Sequence, residues 1–155
     1  MELPKERIIF FHIGSLMRLV VRISQKDSIR DGIDLTFEQR IILFELGHQD
    51  GQSQHELAFS TAIDRSCVTR LIDNMIKGGL VSRAPDPNDR RINRIYTTSK
   101  GKEIRNKLIK TGKRLHCELL KGIEKEKMDT WFEVMECLTE NCRRKEEKLI
   151  QMLRE

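Results

Sequence analysis

The sequence predicts a mainly α-helical chain, interrupted once by a small β-hairpin. Three observations carry that reading. Apolar residues recur at helical spacing through most of the chain, with Ile9, Ile13, Leu16, Val20 and Ile23 as the first stripe. Two capping signatures, Thr36-x-x-Gln39 and Ser53-x-x-Glu56, mark helix starts. A Pro85-Asp86-Pro87-Asn88-Asp89 turn separates two short strand-like runs, Leu80 to Ala84 and Ile92 to Thr97.

Taken in order, residues 7–23 read as a helix with a broad apolar face, widened by Ile8, Phe11 and Leu19. A face that wide asks for more cover than a small domain offers, and a partner chain could fill it. Residues 24–35 are polar and contain Asp31-Gly32, so they read as a loop. The helix opened by Thr36 carries Phe37, Ile41 and Phe44 on one face and can end at Gly47. Residues 48–52 read as a turn. The Ser53 cap opens a short helix with Leu57 and Ala58 inward, and residues 60–62 form a second short turn. Asp64 is the expected N-cap of the next helix, with Ile63 and Val68 at hydrophobic-staple positions. That helix runs to Lys77 and stops at Gly78-Gly79. After the hairpin, Thr98 caps a helix to about residue 122. A last helix covers about 128–153, with Trp131, Met135, Leu138 and Cys142 at helical spacing.

The helix at 64–77 has two distinct faces. Val68, Leu71, Ile72 and Met75 point inward, while Ser66, Thr69, Arg70 and Asp73 share an outward face. Small hydroxyls near a helix N-terminus permit close approach, and an arginine among them supplies donors for base edges or phosphates. A capped short helix, a tight turn and this polar-faced helix make a helix-turn-helix. The hairpin that follows, with Arg90, Arg91 and Arg94 around its tip, is a wing. Charge agrees. The chain carries a net +5, but residues 61–115 hold 14 Lys/Arg against 5 Asp/Glu, a surplus of nine, and the remainder is net acidic. The expected partner of this segment is double-stranded DNA. Arg65, Ser66, Thr69 and Arg70 on the helix and Asp89, Arg90, Arg91 and Arg94 on the wing are the candidate contacts.

Other chemistries find little support. His55-Glu56 begins like a zinc-protease motif, but Phe59 stands where the second histidine belongs. No metal-ligand spacing, phosphate loop or catalytic triad pattern stands out, so neither an enzyme nor a cofactor is expected. The four cysteines, at 67, 117, 137 and 142, form no disulfide framework, and a reducing cytoplasm is the expected compartment. No apolar run reaches the roughly 20 residues needed to span a bilayer, and no secretory signal is visible. Met128, Trp131 and Met135 read as core or dimer contacts.

Gly79-Leu80-Val81-Ser82-Arg83, Asp89-Arg90-Arg91 and Thr97-Thr98-Ser99-Lys100-Gly101 resemble the winged-helix signature of the MarR (multiple antibiotic resistance regulator) family, and residues 64–73 resemble its recognition helix. Ile76, Gly78 and Thr97 depart from the commoner residues of that pattern. The resemblance implies one MarR-like domain over residues 1–155, with a winged helix-turn-helix at 36–98 and dimerisation helices at 7–30 and about 100–155. It also implies a homodimeric repressor on a pseudo-palindromic operator, released by a small-molecule effector such as a phenolic ligand, or by an oxidant or a metal. By position, Arg91 would enter the minor groove while Asp89 holds its side chain. Two other readings remain open: a winged-helix module that binds protein, and a thiol-based redox sensor using Cys67 or Cys117.

Overall fold

A computed structural model describes residues 9–153. In chain order the elements are α1 (Ile9–Arg30), α2 (Phe37–His48), β1 (Gln52–Ser53), α3 (Gln54–Thr61), α4 (Arg65–Lys77), β2 (Val81–Pro85), β3 (Asn93–Thr97), α5 (Ser99–Leu119) and α6 (Lys125–Met152). The three strands form an antiparallel sheet in the order β1-β3-β2. Mainly helical structure with a β-hairpin wing is therefore the architecture. The chain divides into two compact units, one reaching to His116 and the other starting at Cys117.

The core of the first unit gathers Ile33, Ile42, Leu43, Leu46, Leu57, Val68, Ile72, Met75, Leu80, Val81, Ile95 and Leu108. Both capping boxes form. Thr36 Oγ1 accepts from the Gln39 amide while Gln39 Oε1 accepts from the Thr36 amide, and Ser53 and Glu56 repeat the exchange. Gly79, at φ +68°, closes α4, and the Leu80 amide turns back to the Met75 carbonyl at 2.9 Å. Gly101 lets α5 start against the entry to β2, since a Cβ there would meet the Leu80 carbonyl oxygen at 2.1 Å.

Several sequence expectations shift. Helix α1 does not stop at residue 23 but continues to Arg30, and Gly32, at φ +74°, follows it. The reason is tertiary. Arg40, only 4% exposed, reaches from α2 and donates from Nη1 to the Ser24 carbonyl, Ser24 Oγ and Ser28 Oγ, and from Nη2 to Gln25 Oε1. The polar residues that suggested a loop are the inward face of the helix's last turns. Residues 7 and 8 of the expected helix lie outside the described residues.

Gly47 does not end α2, which passes through it to His48. Its role is close approach, because a Cβ there would lie 2.5 Å from Nη1 of Arg105. The face of Phe37, Ile41 and Phe44 is not the main core face of α2, which is Ile42, Leu43 and Leu46. The expected turn at 48–52 ends in the two-residue strand β1, paired with β3 through Gln52 with Ile95 and Ser53 with Arg94. The turn after α3 is shorter than expected: the helix holds to Thr61, and Ala62 alone turns left-handed at φ +53°. Each hairpin strand begins one residue later than the sequence suggested.

In the second unit α6 begins at Lys125 rather than about 128, after a turn at Gly122 with φ +85°. None of its residues is buried in the single chain.

Candidate nucleic-acid interface

Helix α4 is fixed by its apolar side. Val68, Ile72 and Met75 are fully buried, and Leu71 packs against the same core. That packing turns the opposite face outward. Asp64 caps the helix, with Oδ1 accepting from the Ser66 amide at 2.8 Å and from Ser66 Oγ at 2.6 Å. Those bonds, the hydroxyl first, hold the Asp64 carboxyl below the usual carboxylate range. Ser66 thus presents its hydroxyl oxygen with the proton already given to Asp64. Thr69 is similarly engaged, its single hydroxyl proton shared between Gln54 Oε1 and the Arg65 carbonyl, each at 3.1 Å. Toward an external partner both hydroxyls are acceptors. Arg65 and Arg70 are exposed, and neither makes a hydrogen bond or ion pair through its side chain among the described residues.

The wing is built on Asp86. This carboxylate is 5% exposed and accepts at Oδ1 from the Asn88 amide at 2.7 Å and the Asp89 amide at 3.1 Å. Its Oδ2 takes Nε of Arg94 at 2.5 Å. The Arg94 bond, followed by the two amides, lowers the Asp86 carboxyl from its usual range, and the same pairing raises Arg94. Asp89 accepts the backbone amide of Arg91 at 2.9 Å. It therefore orders the chain at Arg91 rather than gripping the guanidinium, as the resemblance had implied. The side chains of Arg90 and Arg91 are exposed at the wing tip and carry no ion pair among the described residues.

A groove of about 620 Å³ runs between these parts, lined by Ser53 to Glu56, Arg65, Thr69, Arg83 and residues 91–94. It brings together Arg65 and Thr69 of α4 with Arg91 and Arg94 of the wing. Ser66 and Arg70 lie on the same helix, and Asp89 and Arg90 lie on the wing, but none of these four lines the groove. Sequence reasoning missed three contributors. Arg83 ties β2 to α4 through Asp73 at 2.8 Å. Glu56 and Asp86 hold Arg94. The signal for Asp86 was present in the Pro-Asp-Pro turn, where an Asx carboxylate bonds amides two and three residues on.

Thr97, an unusual residue for its position, is buried, and its amide and hydroxyl both go to Asp50 Oδ1, at 2.9 and 3.3 Å. Cys67 is half-buried, whereas Cys117, Cys137 and Cys142 are exposed. Among the described residues no group of three or more His, Cys, Asp or Glu could hold a metal ion, and no helix is long and apolar enough to cross a membrane.

An exposed polar recognition helix beside a basic wing defines a winged-helix protein, and comparison with known proteins agrees. Residues 33–92 match the MarR family model. The chain is 27% identical over 132 residues to the HTH-type transcriptional regulator YybA of Bacillus subtilis, covering 85% of this chain and 87% of that protein. It is similar in fold to Bordetella bronchiseptica BpsR, whose DNA binding is regulated by 6-hydroxynicotinic acid. That match has a TM-score of 0.78 and 19% identity, over 90% of this chain and 98% of that one. A second structural match is the organohalide-sensing regulator RdhR in its 2,4-dichlorophenol-bound form. Here the TM-score is 0.80 at 18% identity, over 90% of this chain and 82% of that one. The winged helix of this chain is thus similar to that of the MarR family, and the chain shares the fold of solved MarR-type regulators.

Proposed function

We propose that this regulator acts as a cytoplasmic homodimeric repressor of a pseudo-palindromic operator. Helix α4 enters the major groove and the wing approaches the adjacent minor groove. One observation carries the reading: the exposed guanidinium groups of Arg65 on α4 and Arg91 on the wing line one groove, together with Thr69. Phosphate contacts from Arg65, Arg70 and Arg90 supply affinity and make it salt-dependent. Ser66 and Thr69 face base edges, and Arg91 reaches the minor groove, where narrow A·T-rich duplex concentrates negative potential. Asp89 serves by ordering the backbone at Arg91.

The case for a second copy is the apolar surface left open. On α1, Phe10, Phe11 and Leu16 are more than half exposed, and on α6 Trp131, Phe132 and Val134 are 44–54% exposed. Amphipathic helices with uncovered apolar faces are what an obligate dimer buries. Two copies would set recognition helices in successive major grooves, about 34 Å apart.

An effector site is supported by a cavity of about 120 Å³ in the first unit, walled by Phe37, Ile41, Phe44, Leu108 and Leu115, with Arg40 at its polar side. Its lining, apolar walls beside one guanidinium, suits a small aromatic molecule, the kind named with BpsR and RdhR. Such a molecule regulates only by binding two states of the dimer unequally.

The test is fluorescence anisotropy on a duplex recovered from genomic DNA by binding-site selection. Wild type binds with a steep salt slope. Arg91→Ala weakens binding by about 1–3 kcal/mol at physiological salt. Equal affinity of the two proteins would remove Arg91 from the interface, and absence of salt-dependent affinity in wild type would remove DNA as the partner.

A further inference from the structure

Arg94 was a candidate DNA contact on its charge and its place in the wing, yet its guanidinium is turned inward. Nε donates to Asp86 Oδ2 at 2.5 Å, and Nη1 donates to the Gly51 carbonyl and to Glu56 Oε2, both at 3.1 Å. Its position makes this bridging possible. Arg94 stands on the central strand β3, opposite Ser53 of β1 on one side and Ala84 of β2 on the other. One planar side chain thereby joins the wing turn, the loop before β1 and the first turn of α3.

We propose that Arg94 is a positioning residue that clamps the wing to the helix-turn-helix, so that its removal weakens DNA binding by loosening Arg90 and Arg91. The inference rests on the DNA-binding reading above and adds to it. A two-stranded ribbon alone is marginal in water, so the wing needs a tie beyond the β2–β3 ladder. Asp86 is a buried carboxylate, and breaking its pair leaves that charge without its cation. Glu56 is already committed to the capping box of α3 through the Ser53 amide at 2.6 Å, which fixes the far end of the clamp. Ordering the wing before DNA arrives reduces the entropy lost on binding. The geometry asks for a guanidinium specifically. It donates in two directions from one plane, which a lysine ammonium on the same strand cannot reproduce.

The experiment uses full-length protein carrying Arg94→Lys, Arg94→Gln or Asp86→Asn. Without DNA, amide hydrogen exchange is read at Asn88 and Asp89. Arg94→Lys leaves the Asp86 acceptor in place, and a clamp predicts about tenfold faster exchange there, equivalent to roughly 1.4 kcal/mol. With the selected duplex, Arg94→Lys and Arg94→Gln should both weaken binding about tenfold. Asp86→Asn should weaken it too. That sign is diagnostic, because removing an anion near DNA would tighten binding if charge alone mattered.

Three results overturn the proposal: unchanged exchange in Arg94→Lys, wild-type affinity in Arg94→Lys beside weak binding in Arg94→Gln, or tighter binding by Asp86→Asn. The second would make Arg94 a direct phosphate contact. A wild-type chain without salt-dependent DNA affinity overturns the regulator reading and the DNA half of this one. The exchange measurement then decides the clamp by itself.

Discussion

Helices α4 and α6 are both amphipathic, yet the chain treats them in opposite ways. In α4 every apolar position of the inward face meets the core, and Val68, Ile72 and Met75 have no exposed surface. In α6, twice as long, no residue is buried, and only Met128, Met135 and Leu138 are even half-covered. The same sequence signal, apolar residues three and four apart, thus has two meanings. In α4 it records packing completed within the chain, which frees the other face for recognition. In α6 it marks an apolar face that stays exposed, the face the proposed dimer would use.

The largest effect expected from this contrast is on the α4 side. Ile72→Ala removes a fully buried side chain from the core beneath the recognition helix. A loss of about 2–5 kcal/mol of unfolding free energy is expected. Denaturant melts should show it equally at low and high protein concentration, because the cavity lies within one chain. A loss that vanished at high concentration would mean that Ile72 packs against a partner rather than its own core.

The α6 side should behave in the reverse way. Met135→Lys places a charge among the half-covered positions of that helix. Its expected effect is a shift from dimer to monomer in sedimentation at micromolar concentration, with a matching loss of DNA affinity. The winged helix itself should keep its circular dichroism signature. A variant that sediments as wild type would show that this stretch of α6 is not the joint between copies.

What could be read from the sequence divides along a similar line. The two capping boxes, the Asp64 cap and the Gly79 stop involve residues within five positions of each other, and all appear in the structure. The inward face of α4 was also legible, because its period is local. The helical end of α1 was not, since Arg40 lies 16 positions beyond the Ser24 that it holds. Likewise β1 is two residues long and exists only because β3 pairs with it from 41 to 43 positions away. The candidate contacts of the recognition helix were visible as residue types on a face. The work of Arg94 was hidden, because its partner Glu56 lies 38 positions upstream.

The smallest expected effect concerns helix starts. Asp64 gives α4 two hydrogen bonds at its N-terminus, but Glu124, the cap residue of α6, makes no side-chain cap bond. Glu124 instead meets Lys127 at 2.8 Å, with both side chains more than 70% exposed, and such surface pairs contribute little. A glutamate reaches past the first free amides, whereas serine is short enough to accept from them. Glu124→Ser should therefore stabilise α6 by about 0.5–1 kcal/mol, less the small cost of the lost pair. Because α6 is uncovered in the single chain, the gain should appear mainly as a firmer dimer, read as a lower dissociation constant on dilution. A gain in melting temperature with unchanged dissociation would mean that α6 does not carry the contact between copies.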